Sequence, residues 1–130
     1  MSIKKLIVLC GKQNTGKSQT LLDLMKNLTP VSVIKKPRTK KGRDYIGIWK
    51  IKNKNVGIVF AGDTLQIILD GFNAINQSKI KIDVIVCTCH KSQIDYIIKL
   101  YGKRSASVVI KERANNHDNN ICKNEILSLI

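Results

Sequence analysis

Apolar runs of strand length alternate with stretches of helical periodicity along almost the whole chain, and this alternation constrains the fold most strongly. Strands separated by helices pair side by side through crossovers, which predicts an α/β fold with a mostly parallel sheet covered on both faces. Ile3 to Cys10, rich in Ile, Leu and Val and stopped by Gly11, has the composition of a buried parallel strand. Leu21, Leu22, Leu24, Met25 and Leu28 then fall on one side of a 3.6-residue period that ends at Thr29-Pro30. Val31 to Ile34 predicts a short second strand. Tyr45 to Lys52 and Val56 to Ala61, joined by the turn residues Asn53-Lys54-Asn55, predict one antiparallel hairpin. A helix is expected on Leu65, Ile67, Ile68, Leu69, Phe72 and Ile75, with Asp63 or Thr64 as its N-cap. Asp83 to Cys87 predicts another buried strand, and Ile94, Ile97, Ile98 and Leu100 a helix after it. Val108 to Ile110 predicts a last strand. Asn115 to Asn120 reads as a polar loop leading into a closing helix through Ile121, Ile126, Leu127 and Ile130.

A length of 130 residues suits one domain spanning 1–130, and no linker or internal repeat divides it. The longest apolar runs, Leu6 to Cys10 and Val84 to Cys87, fall far short of the roughly 20 residues that cross a bilayer. The amino-terminal run is too short for the apolar core of a signal peptide and lacks a small-residue cleavage site, so a cytoplasmic location is expected. Cys10, Cys87, Cys89 and Cys122 are accordingly read as reduced thiols.

The densest chemical signal is Gly11-Lys12-Gln13-Asn14-Thr15-Gly16-Lys17-Ser18, which fits G-x-x-x-x-G-K-[ST] between an expected strand and an expected helix. Two glycines let the backbone turn tightly enough for several N–H groups to point at one anion. The helix that follows directs its positive end at the same place. Lys17 is expected to reach the β- and γ-phosphates, and Ser18 to ligate a magnesium ion bridging them.

Residues 3–28 therefore resemble the Walker A segment of P-loop nucleoside triphosphatases. The resemblance implies a three-layer P-loop fold with residues Gly11 to Gln19 around a nucleoside triphosphate, Mg2+ as cofactor and Lys17 as a catalytic group. It also implies a carboxylate at the end of a neighbouring strand. The run Val56-Gly-Ile-Val-Phe-Ala-Gly-Asp63 is similar to the Walker B segment, which makes Asp63 the expected metal and catalytic residue beside Ser18. Asp83 is the alternative, but it precedes its strand and would sit at the other end of the sheet. Many ATPases of this superfamily carry a catalytic glutamate directly after the Walker B aspartate; Thr64 stands there, which implies weak intrinsic hydrolysis. GTPases of the superfamily read guanine with Asn-Lys-x-Asp after a later strand, where this chain has Thr88-Cys89-His90-Lys91-Ser92-Gln93. ATP is expected over GTP on that ground, while the hairpin before Asp63 resembles GTPase topology and keeps GTP as the alternative.

Positive charge concentrates in residues 35–43, Lys-Lys-Pro-Arg-Thr-Lys-Lys-Gly-Arg, within a chain of formal net charge +14. Such a charge favours a polyanionic partner, nucleic acid included, or an exposed solvated loop. Pro37-Arg38 and Gly42-Arg43-Asp44-Tyr45 are similar to the acceptor-binding segment of guanylate kinases. That likeness implies a nucleotide or nucleoside kinase as the alternative enzyme, with Arg38, Arg43 and Arg104 available to a second phosphate. Cys87-Thr88-Cys89-His90 gathers three zinc-type ligands too closely spaced for a knuckle, so buried thiols are expected, with Thr88 or His90 near the phosphates or the base. The sequence thus predicts a small Mg-dependent ATPase or nucleotide switch acting with a protein partner, with a kinase or a nucleic-acid-associated accessory protein as alternatives.

Overall fold

The computed structural model describes residues 5–11, 17–26, 28–35, 45–60, 65–101, 106–111 and 115–130. Its elements are β1 (Lys5–Gly11), α1 (Lys17–Met25), β2 (Pro30–Lys35), β3 (Tyr45–Ile51), β4 (Lys54–Phe60), α2 (Leu65–Gln77), β5 (Val84–Cys89), α3 (Ile94–Tyr101), β6 (Ala106–Lys111) and α4 (Asn116–Leu129). A 3-10 turn, Lys91–Gln93, leads into α3.

The six strands form one sheet in the order β2-β3-β4-β5-β1-β6. β1 pairs in parallel with β5 and β6, and β5 with β4. β3 is antiparallel to both β2 and β4, so it runs against the other five strands. Alternation along β1 divides the core between the two faces of the sheet. Leu6, Val8 and Cys10 meet Ile68, Phe72 and Ile75 of α2 and Ile97 of α3. Ile7 and Leu9 meet Leu21 and Leu24 of α1 and Cys122, Ile126 and Ile130 of α4. The result is an α/β protein with its mostly parallel sheet between two helical layers, as the alternation predicts.

Several boundaries differ from the sequence reading, each for a local reason. α1 ends at Met25 instead of continuing to Leu28, whose N–H closes a last turn on the Met25 carbonyl at 3.0 Å. Pro30 opens β2, and a proline biases the residue before it toward extended backbone. The hairpin turns at Lys52-Asn53, both at positive φ, and Lys54 and Asn55 belong to β4. Asn55 is drawn into the strand because its N–H donates to Asp83 Oδ2 at 3.1 Å while its carbonyl accepts the Asp83 N–H at 2.9 Å. β5 runs on to Cys89, so Thr88 and Cys89 are strand residues, not the start of a loop.

The Asn-rich run is also no loop: α4 begins at Asn116, within it. Asn115 caps the helix by accepting the Asp118 N–H on its side-chain oxygen at 2.8 Å. At the far end, Lys54 Nζ donates to the Ile130 carbonyl at 2.6 Å, and the ammonium groups of Lys5 and Lys52 reach the carbonyls of Leu129 and Leu127. Cations there complement the negative end of the helix.

Among the described residues, no helix is long and apolar enough to cross a membrane. All four cysteines are reduced and buried.

Candidate anion site at the carboxyl edge of the sheet

Strand direction decides which connections share an edge. β1, β5, β4 and β6 all deliver their carboxyl ends to one side, at Gly11, Cys89, Phe60 and Lys111. Lys35 at the end of β2 and Tyr45 at the start of β3 stand on that side too, because β3 is reversed. Asp83 precedes β5 and lies at the opposite edge, tied to Asn55. The expectation that it occupies the wrong end is met.

At the centre of this edge, Gly11 is the buried last residue of β1, flanked by the ends of β5 and β6. α1 begins six residues later and has no acidic side chain in its first turn to occupy its positive end. Lys17 is half-buried and folds back, with Nζ donating to the Gly11 carbonyl at 3.1 Å. The ammonium is thus held at the carboxyl end of β1. Ser18 lies in the first turn of α1. Gln19 directs its side-chain amide along the helix, to Asp23 Oδ1 at 2.8 Å. Lys12, Gln13, Asn14, Thr15 and Gly16 lie outside the described residues, as do Asp63 and Thr64, Arg38 and Arg43 with most of the basic run 35–43, and Arg104.

Beside β1, Cys10 and Cys89 are register partners at the ends of adjacent strands, and their thiols hydrogen-bond each other. Burial pushes the Cys89 thiol up to about 12, with Cys10 adding to the rise through its proximity and hydrogen bond. Burial likewise raises Cys87 well above the ordinary thiol range, and it raises Cys10 against the opposing pull of the Cys89 hydrogen bond, Lys17 and Lys91. These sulfurs remain neutral thiols at physiological pH, so they neither repel an anion nor supply thiolate ligands. Lys17 and Lys91, by contrast, both lie near enough to act on Cys10 and leave the edge locally cationic.

Thr88 is buried on the face of the sheet that α1 covers, because it alternates with Cys87 and Cys89 on the other face. His90 is the first residue past β5; its N–H donates to Gln93 Oε1 at 3.0 Å and its carbonyl accepts the Gln93 N–H at 3.0 Å. These bonds fix the backbone that leaves the edge toward α3.

Four residues that the sequence reading did not single out complete the surroundings. Lys111 ends β6 beside Gly11 in register, and its Nζ pairs with Asp118 Oδ2 at 2.8 Å. Thr20 Oγ1 donates to Asn119 Oδ1 at 3.2 Å, joining α1 to α4. Asp118 and Asn119 belong to the polar run 115–120, which was legible as unusual; that it faces α1 was not. Among the described residues, no group of three or more His, Cys, Asp or Glu is arranged to hold a metal ion.

The arrangement defines an α/β protein with a cationic carboxyl edge centred on the first strand. Comparison of the chain with protein families, with curated proteins and with solved structures returns no match.

Proposed function

We propose that the chain binds a nucleoside triphosphate at this edge, ATP rather than GTP, together with Mg2+, and works as a small ATPase or nucleotide switch with weak intrinsic hydrolysis. The reading rests on a P-loop motif whose first glycine ends a central parallel strand and whose lysine opens the following helix. The observation that carries it is the Lys17 ammonium on the Gly11 carbonyl, because a lysine already folded back to the end of β1 can exchange that carbonyl for phosphate oxygens. A magnesium ion keeps several waters and is commonly held by phosphates with one or two protein oxygens, so no dedicated protein cage is needed. Ser18 and Asp63 are the proposed protein oxygens. β4, which precedes Asp63, is separated from β1 by β5, or about 10 Å at two strand spacings. A hydrated metal and its phosphate can span that gap. Thr64 in the glutamate position leaves a protein partner to supply a water-activating group.

The test is a thermal-shift panel of ATP, ADP and GTP with and without magnesium, since a ligand that binds the folded state raises the melting temperature. The expected result is a magnesium-dependent shift, larger for ATP than for GTP. Triphosphates that leave the melting temperature unchanged overturn the reading.

A kinase is the second reading, and it rests on the likeness of Pro37-Arg38 and Gly42-Arg43-Asp44-Tyr45 to an acceptor-binding segment. Phosphate transfer to a nucleoside or nucleotide panel supports this reading, whereas release of inorganic phosphate supports the ATPase. Lys35, which opens the basic run 35–43, and Tyr45, which follows it, stand at the same carboxyl edge, so a nucleic acid or other polyanion is a proposed partner. Its binding would weaken steeply with salt.

A further inference from the structure

Three side-chain contacts and one backbone ladder close a ring around the two ends of residues 12–16. Gly11 on β1 is the register partner of Lys111 on β6. Lys111 Nζ meets Asp118 Oδ2 at 2.8 Å in the first turn of α4. The next residue, Asn119, accepts the Thr20 hydroxyl at 3.2 Å. Thr20 stands about one helical turn beyond Lys17, whose ammonium returns to the Gly11 carbonyl at 3.1 Å. Lys111, Thr20 and Asn119 are 1%, 0% and 5% exposed, so this is an interior network and not a surface one.

Stability gives little reason for such a ring. α1 and α4 already share an apolar contact through Leu21, Leu24, Cys122 and Ile126. Burying a lysine–aspartate pair and a hydroxyl–amide pair costs desolvation, and apolar side chains of the same shape would hold the two helices at least as firmly. What polar partners add is one allowed geometry, because they are satisfied in a single arrangement. Here the geometry they define is the separation between the last residue of β1 and the first turn of α1. That is the span a phosphate-binding loop must bridge with its amides converging. α4 is a firm reference for it, since lysines from β1 and the β3–β4 hairpin hold its other end.

We infer that Thr20, Asn119, Asp118 and Lys111 are positioning residues for the triphosphate, which touch no ligand atom and hold strand and helix at the spacing the phosphates require. This deepens the nucleotide reading and rests on it. Positioning residues of this kind change affinity in a chain that is fully folded, whereas residues with a purely structural role change the unfolding midpoint and leave affinity intact.

The experiment measures MgATP affinity by calorimetry at a temperature where circular dichroism shows every variant folded. Thr20→Val and Asn119→Leu are each expected to weaken binding about tenfold, and the double variant no more than either single one. Thr20→Ser, which keeps the hydroxyl, is expected to bind as the unaltered chain does. Folded Thr20→Val and Asn119→Leu with unaltered affinity overturn the inference and leave the nucleotide reading standing. An unaltered chain that binds neither MgATP nor MgGTP overturns both. Should the valine variant not fold, the Asn119 side-chain amide resonance of the unaltered chain is followed during MgATP titration. A shift saturating at the calorimetric Kd supports the ring; a stationary resonance counts against it.

Discussion

Lys17 is the residue on which the proposed chemistry turns, and its surroundings sharpen what its removal should do. Lys17→Ala deletes one part-buried hydrogen bond to the Gly11 carbonyl, worth about 1 kcal/mol of stability. The same change removes a cation from the phosphates, so MgATP affinity should fall about a hundredfold, measured by calorimetry. An alanine variant that binds normally would falsify the site. Asp63→Asn bears on the metal: magnesium should be needed at about tenfold higher concentration, while nucleotide binding without magnesium stays as it was. An unaltered magnesium titration assigns the metal to another residue. At this scale the motif was legible because its residue types and spacing are local. The return of Lys17 to Gly11, and the partnering of Gln19 with Asp23, depend on side-chain paths that spacing does not specify.

Elements were legible where periodicity and punctuation agree. β1 and α2 fall where apolar period places them, and so do the two arms of the β3–β4 hairpin, although its turn sits at Lys52-Asn53. Extents went astray where a polar residue is buried. Thr88 reads as a loop residue yet lies inside β5, and Asn119 reads as loop yet sits in α4 against Thr20. Polarity predicts exposure only while no partner waits in the interior. Glycine in a strand is ordinarily a weak point, but Gly47 in β3 is required by close approach. A Cβ there would lie 2.7 Å from the Ser32 carbonyl oxygen of β2 and 2.9 Å from the Trp49 ring. Gly47→Ala should therefore destabilise by about 2 kcal/mol despite alanine's smaller entropic cost, lowering the urea midpoint with an unaltered slope. Trp49 fluorescence is the natural probe. A midpoint equal to or above that of the unaltered chain would show that β2 yields freely at the sheet's edge.

For the whole molecule, buried thiols and excess positive charge set the response to conditions. Burial raises the thiols of Cys10 and Cys87, and raises Cys89 to about 12, so the folded chain keeps protons that the unfolded chain releases near the ordinary value of 9.0. The folded state then binds more protons than the unfolded one above that pH, and stability must fall as pH rises. The loss is absent below pH 9 and grows toward pH 12, the interval between the two Cys89 values. For Cys89 it approaches about 1.4 kcal/mol per pH unit. Urea midpoints taken from pH 8 to 10.5 should show it, and Cys89→Ala should flatten the slope relative to the unaltered chain. An identical slope in that variant would remove Cys89 as a source of the alkaline loss.

By itself, the amino-acid sequence determined the class of fold and singled out the motif for which anion binding is proposed, because hydrophobic period and glycine punctuation act between near neighbours along the chain. Tertiary structure decided the rest. Strand order brought β5 between β1 and β4, reversal of β3 put Lys35 and Tyr45 at the carboxyl edge, and the packing of α4 on α1 joined Thr20 to Asn119 and Asp118 to Lys111, the register partner of Gly11. Thr20 and Asn119 are 99 positions apart, and contacts over such separations follow from which faces bury together, a property of the assembled chain and not of any window of it.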